Sequence, residues 1–368
     1  SCAFTQKAIK FSKMMLSLGH EVYMYGVKSS ISPTPPCTEF IETHTIEDIR
    51  NSYGEGNNMF EIGYDWTKAY TYKFDENGAF SKCSNSFFAG LLKEIPKRYK
   101  DGDILCLTFG EYYKEVTNKL TMQFPNLLFI EYGVGYPHAY APYRAYESSF
   151  MKNWIYGNQG VKDLRVFDRV IPNFFDPENF PFTDRDKKRD YLLYIGRLIP
   201  RKGIYIAIRL AEMTKTKLLI AGQGELVGKS DYVQCVGWAD SIKRAALMAY
   251  AKAVIVPTVY LEPFGGVAVE AQLCGTPVIT ANTGAFPETV IQGVTGFRCD
   301  TFQDYVDAVP RVDTLDPKVI RKHAERYTMD TVEWEYQRWF DDITIFFERA
   351  RSGETTPFFT TQNKNVVQ

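Results

Sequence analysis

The sequence predicts an α/β protein built as two doubly wound domains. Short apolar runs alternate with amphipathic segments, and the alternation restarts after a Pro-, Asp- and Lys-rich stretch at 177–190. The 368 residues also suit two domains better than one. Hydrophobic residues make up 45% and charged residues 24%, a globular balance that excludes wholesale disorder. Gly 26 and Pro 18 are too few for a collagen-like or low-complexity chain. Lys+Arg 43 against Asp+Glu 44 leaves a net charge of -1, without the basic excess of a chain that lives on a nucleic-acid backbone. Cys2, Cys37, Cys83, Cys106, Cys235, Cys274 and Cys299 are scattered with no C-x-x-C pair and read as reduced thiols of a cytoplasmic protein. No apolar run reaches the roughly 18 residues that span a bilayer, and no signal-peptide pattern is present.

Taken in order, residues 3–18 read as a helix, with Ala8, Ile9, Met14, Met15 and Leu18 apolar and Gly19 as its stop. Residues 21–27 read as a strand, 30–40 as a Pro-rich loop and 51–63 as a weakly patterned stretch. Residues 103–109 and 126–132 are short, apolar and bounded by turn residues, as buried strands are. A doubly wound domain normally opens on a central strand, so a first strand and its ligand-facing loop are expected to precede Ser1. The run 165–176 holds Val170-Ile-Pro-Asn173, a strand stopped by proline, and 177–190 reads as the linker. Beyond it come strands at 191–195, 217–221, 232–236, 253–257 and 277–281. Helices begin at Lys202 and occupy 241–251 and 266–274, and such successive βα units imply a second parallel sheet. Residues 331–351 form a long helix rich in aromatics (Trp334, Trp339, Phe340, Phe346, Phe347), and 352–368 read as a disordered tail. The domains are therefore expected at 1–175 and 176–330.

The most informative segment runs from Glu262 to Ile279. A loop after a strand opens into a helix at Gly265-Gly266, leaving backbone N–H groups bare at a positive dipole end, which is a ready anion site. Glu262 and Glu270 bracket the turn, and a carboxylate can accept from two vicinal hydroxyls of a ribose or hexose. The plainer alternative is a simple glycine turn with Glu270 favouring the dipole. Arg197, Arg201 and Lys202 follow another buried strand, where ligands bind in open α/β sheets. Such cations suit a pyrophosphate leaving group, although a solvated basic loop has the same composition.

From Arg169 to Gly296 the chain resembles the nucleotide-binding half of retaining glycosyltransferases of the GT-B fold, glycosyltransferase family four. The resemblance rests on Val170-Ile-Pro-Asn173, Gly196-Arg197 with Lys202-Gly203, Leu219-Ile-Ala-Gly222-Gln-Gly224, Gly237 and Pro257. It continues through Glu262 and Glu270 with seven residues between, Gly275-Thr-Pro-Val-Ile279, Gly284, Glu288 and Gly293-Val-Thr-Gly296. It implies two Rossmann-like domains facing a central cleft, with the 331–351 helix crossing back to the first domain. It implies that Arg197 and Lys202 hold the donor diphosphate, Glu270 the ribose hydroxyls, and Glu262 the sugar. The backbone of Phe264, Gly265, Gly266 and Val267 would line sugar and phosphates, and the loops at Gly222 and Trp238 would meet the base. His138, after the 126–132 strand, is the candidate facing the sugar from the first domain; a surface histidine is the alternative.

Tyr132, Tyr136, Tyr140, Tyr143, Tyr146, Phe150, Trp154 and Tyr156, with Arg144 among them, suit either a stacking platform or an aromatic core. Asp101-Gly-Asp103 and Asp184-Arg-Asp186 look like metal-binding Asp-x-Asp motifs but lie in a turn and in the linker. No metal and no cofactor are expected, since the cations and the helix dipole would replace the metal. The implied activity is metal-independent, retaining transfer of a sugar from a nucleotide-diphosphate donor to an acceptor hydroxyl. A glycan acceptor is favoured over a modified base in DNA, and a non-catalytic nucleotide-sugar binder is the alternative of another class.

Overall fold

Side chains alternate across a strand, and here both sides are apolar. Leu192 and Tyr194 enter one buried cluster and Leu193 the other; Ala253 and Ile255 likewise oppose Val254 and Val256. Strands of this kind belong in a parallel sheet covered by helices on both faces. The computed structural model, which describes residues 3–27, 35–53, 79–224 and 230–351, has that arrangement.

The first domain runs α1 (Ala3–Ser17), β1 (Tyr23–Gly26), β2 (Glu39–Glu42), α2 (Ile46–Tyr53), α3 (Ala79–Glu94), β3 (Ile104–Leu107) and α4 (Lys114–Gln123). It continues with β4 (Leu128–Val134), β5 (Tyr143–Tyr146), α5 (Ser149–Asn158) and β6 (Arg169–Val170). Strands β1 and β2 pair in parallel, and β3-β4-β5-β6 form a parallel sheet in chain order. The second domain runs β7 (Leu192–Ile195), α6 (Ile204–Thr214), β8 (Leu218–Ala221), β9 (Val233–Gly237), α7 (Ser241–Tyr250), β10 (Ala253–Val256) and α8 (Gly266–Leu273). It ends with β11 (Val278–Ala281), α9 (Phe286–Thr289), β12 (Gly296–Cys299), α10 (Phe302–Arg311) and α11 (Pro317–Ala324).

The six strands stand in the order β12-β11-β10-β7-β8-β9. The order reverses between β7 and β10, and ligands of open α/β sheets bind in the crevice at that reversal, outside the carboxyl ends of the strands. Each strand expected from 191 to 281 falls within one residue of its observed position. Strand β2 begins inside the expected 30–40 loop, and strands β5 and β12 and helices α2, α3, α4, α5, α9, α10 and α11 are not among the expected elements. Residues 54–63, the expected tail at 352–368 and Cys2 lie outside the described residues.

The aromatic run at 132–156 is core, not a stacking platform. Tyr132, Tyr136, Tyr143 and Tyr146 are buried. Tyr132 stacks on Phe11 with ring centroids 3.8 Å apart. The hydroxyls of Tyr146 and Tyr156 both donate to Asp168 at 3.0 Å. Arg144 donates to the Ala141 carbonyl at 2.7 Å and to Gln159 at 2.8 Å. A buried tyrosine needs an acceptor for its hydroxyl; Glu131, just before the run, serves Tyr136, whereas Asp168, which serves Tyr146 and Tyr156, lies beyond its end.

Helix α12 (Met329–Arg351) starts in the second domain and packs on the first. Val332, Tyr336, Trp339, Phe340 and Ile343 recur at helical spacing and bury against Phe11, Met14, Met15, Ile130 and Tyr143. Burying these five side chains is worth on the order of 10 kcal/mol before the cost of ordering them. Trp339 Nε1 also donates to the Phe167 carbonyl at 2.7 Å. Trp334 lies on the opposite, exposed face. The two chain crossings run side by side: Phe175 N donates to Tyr327 O and Met329 N to Phe175 O, both at 2.9 Å.

Candidate active site

The loops that follow β7 and β10 meet at the reversal point of the six-stranded sheet. After β7, Gly196 N donates to Ala221 O at 3.1 Å, and a short 3-10 turn carries Pro200, Arg201 and Lys202. Gly203 closes the turn at φ +73°, where a Cβ would overlap the Pro257 carbonyl at the end of β10. Glycine therefore lets the basic loop seat directly on the next strand.

That contact brings Lys202 to the second loop. Its Nζ donates to the Tyr260 hydroxyl and lies 3.4 Å from Glu262 Oε2. The Tyr260 ring lies 4.6 Å from Arg201 Cζ and 4.6 Å from Lys202 Nζ, a double cation–π contact. Burial pulls the Lys202 ammonium below the usual lysine range, opposed by Glu262 and assisted by Arg197 and Arg201. Burial, then the Glu262 charge, raises the Tyr260 phenol. Tyr260 was missed by the sequence reading. Its only signal was its place in the loop, two residues before Glu262.

Gly265 adopts φ +82°, and a Cβ there would lie 2.7 Å from the Phe286 ring. It caps α8 without a side chain, so the first N–H groups of the helix remain donors at a positive dipole end. Gly284, at φ +62°, packs on the Glu262 peptide, with a Cβ position 2.5 Å from Glu262 N. Ala285 N donates to Glu262 O at 2.9 Å. Glu262 is thereby held by its backbone from one side and by Lys202 from the other. Glu270, about one turn into α8, forms an ion pair with Arg244 of α7.

The first domain closes over this loop. Ser148 Oγ, which caps α5, donates to Pro263 O at 2.6 Å. The Glu288 carboxylate accepts from Ser149 N at 2.8 Å and Phe150 N at 2.7 Å, so a carboxylate of one domain caps a helix of the other. Glu147 is buried and paired with Lys7 at 2.7 Å. A Cβ on Gly135 would overlap Glu147 and touch Pro263 at 3.4 Å. Lys10 donates to Asn173 Oδ1 at 3.1 Å and Phe174 O at 2.6 Å. Burial pulls it down to about 8 against the raising effect of Glu147.

The remaining expected residues fall as follows. Arg197 is exposed at the end of β7. Gly222, after β8, lets that chain approach Gly196, whose carbonyl a Cβ would overlap. Trp238, after β9, is 56% exposed. The Phe264 side chain is core, packed on Phe175 and Tyr327, so only its backbone faces the loop. Val267 is half-buried. His138 is exposed, with Nδ1 3.7 Å from Glu111, in the loop that also carries Gly135. Asp103 accepts from Lys100 N and Asp184 from Arg185 N, each a local turn. Among the described residues no three His, Cys, Asp or Glu side chains gather to hold a metal, and no helix is long and apolar enough to cross a membrane.

Residues 175–324 match the family described as Glycosyl transferases group 1. The glycogen synthase of Mycobacterium tuberculosis is 36% identical over 214 residues, 51% of this chain and 50% of that protein. The D-inositol 3-phosphate glycosyltransferase of Mycolicibacterium smegmatis is 31% identical over 189 residues, 44% of this chain and 43% of that one. The chain thus spans half or less of the length of these relatives. Among solved structures, sucrose-phosphate synthase from Thermosynechococcus elongatus superposes with a TM-score of 0.63 at 19% identity, covering 91% of this chain and 92% of that one. Anabaena Alr3699/HepE, in complex with UDP and glucose, gives 0.59 at 15% identity, covering 88% and 100%. The chain has the GT-B fold.

Proposed function

We propose that the protein is a glycosyltransferase that moves a sugar from a nucleotide-diphosphate donor to an acceptor hydroxyl, with retention at the anomeric carbon. One observation carries this reading: Lys202 meets Glu262 where the sheet order reverses, with the Arg197 charge nearby and the open N-terminus of α8, the helix that carries Glu270, on the same chain segment. The UDP-glucose complex of Alr3699/HepE, which shares the fold, supports a nucleotide sugar as the ligand of this cleft.

Lys202, Arg197 and the α8 N–H groups bind the diphosphate and neutralise the charge that grows on it as the sugar leaves. Glu262, fixed by Gly284 and Lys202, accepts from sugar hydroxyls, and Trp238 offers a face to the base. The bond from the anomeric carbon to the phosphate oxygen breaks with its electron pair passing to the diphosphate. The acceptor oxygen bonds to the anomeric carbon on the same face, and its proton passes to a phosphate oxygen. Cleft closure across the Ser148–Pro263 and Glu288–α5 contacts excludes water from this step. His138 belongs to the acceptor side. The reaction needs no metal, because the two cations and the helix dipole face the leaving group.

The burial of Tyr132, Tyr143 and Tyr146 favours a glycan over a DNA base, since those rings are not free to stack on a base. The test is incubation with UDP-, GDP- and ADP-sugars and oligosaccharide acceptors, following the new linkage by proton NMR. An anomeric configuration equal to the donor's is expected. An inverted product would overturn retention, and nucleotide binding without any transfer or donor hydrolysis would favour a non-catalytic binder.

A further inference from the structure

Arg244 stands in the first turn of α7, a helix capped by Asp240, which accepts from Lys243 N at 2.8 Å. In the sequence it is one more polar residue of an amphipathic helix. In the structure its guanidinium Nη2 is paired with Glu270 Oε2 across the groove between α7 and α8. About a third of the Arg244 side chain and 13% of Glu270 remain accessible, so the pair is not sealed in the core. Arg244 Nε is nevertheless buried, with no hydrogen-bond partner among the described residues. Burial pulls the guanidinium down to about 10, which leaves it charged at neutral pH. Lys10 of the first domain lies near enough to feel that charge, which places the pair beside the interdomain face.

We propose that Arg244 is a positioning residue for nucleotide recognition: by holding one oxygen of Glu270 it presents the other to the vicinal hydroxyls of the donor ribose. The proposal rests on the reading of Glu270 as part of the donor site. A carboxylate offers about four lone-pair positions on two oxygens. Pairing Oε2 with the Arg244 guanidinium leaves Oε1 for the ligand and restricts the torsional freedom of a lone glutamate side chain. Arg244 itself touches no reacting atom. Its effect appears as discrimination between ribose and a sugar without hydroxyls.

Calorimetric titration of the full chain with UDP, GDP and ADP, and with their 2′,3′-dideoxy counterparts, tests this. For the nucleotide that binds, the parent chain is expected to prefer the ribose form by about tenfold to a hundredfold, the effect of hydrogen bonds to a charged group. Arg244→Met and Glu270→Gln are each expected to bring the preference close to one, with the double variant no different from either. Arg244→Lys, which keeps the charge without the fork, is expected to recover part of it. An Arg244→Met chain that binds nucleotide with the parent's full preference would overturn the positioning role alone. Failure of the parent chain to bind any of the three would overturn the donor-site reading and this role with it.

Discussion

Lys202→Ala is expected to lower kcat by about 10²- to 10³-fold, the usual loss when one donor facing a developing negative charge is removed. Lys202 is the cation that the fold places against both Tyr260 and Glu262 at the sheet reversal, held there by the Gly203 turn. Its removal takes away charge where the proposed diphosphate would depart and leaves Glu262 without its cation. A pH profile distinguishes this role from general damage. Burial lowers the Lys202 pKa, so the free enzyme loses this proton at a lower pH than an ordinary lysine would, and kcat/KM falls on the alkaline side. Lys202→Arg keeps the charge across that range and is expected to remove the alkaline limb, at reduced activity because a guanidinium fork does not reproduce the ammonium's contact with Tyr260. Full activity in Lys202→Ala would contradict the assignment of the diphosphate site.

The second large effect is structural. Gly203→Ala is expected to cost about 2 to 5 kcal/mol, the left-handed backbone penalty plus overpacking against a backbone carbonyl. The Cβ would sit 2.6 Å from the Pro257 carbonyl carbon and nearer still to its oxygen. Relief requires moving the loop off β10, which carries Lys202 away from Glu262, so nucleotide affinity falls together with stability. Gly237→Ala is the matched control. Gly237 has the same φ of +73° but nothing within 4 Å of the added Cβ, so only the backbone penalty of about 1 to 2 kcal/mol applies. Urea denaturation of the two variants reads the difference. Equal losses would mean that the close seating of the basic loop on β10 contributes nothing to stability.

What could be read from residues alone follows the range of the interactions. Strands β7, β8, β10 and β11 were legible because each is a short apolar run closed by glycine, proline or a polar turn, all local signals. The pairing of Lys202 with Glu262 was legible only as two motifs lying at strand ends. Their meeting depends on β7 and β10 being neighbours, which no local pattern contains. The tyrosines of 132–156 misled because a ring with a hydroxyl looks the same on a platform as in a core. The deciding partners, such as Asp168 for Tyr146 and Phe11 for Tyr132, come from distant segments. Glu288 was visible as a motif residue, yet its work, capping α5 from the other domain, spans more than a hundred residues of chain. Arg244 gave no signal at all, being one charged residue on an amphipathic helix whose apolar face carries Ala245, Met248 and Ala249.

The proposed function places a nucleotide diphosphate in the cleft at the sheet reversal, held through Arg197, Lys202 and Glu270. Thermal unfolding of the chain against UDP, GDP, ADP and their common sugars tests it most directly. A ligand at about 100 times its Kd adds roughly 2.7 kcal/mol of stability. A clear rise in Tm with one nucleotide family, absent in Lys202→Ala, is the predicted result. Unchanged melting with all of them, or an equal rise in Lys202→Ala, would contradict the account.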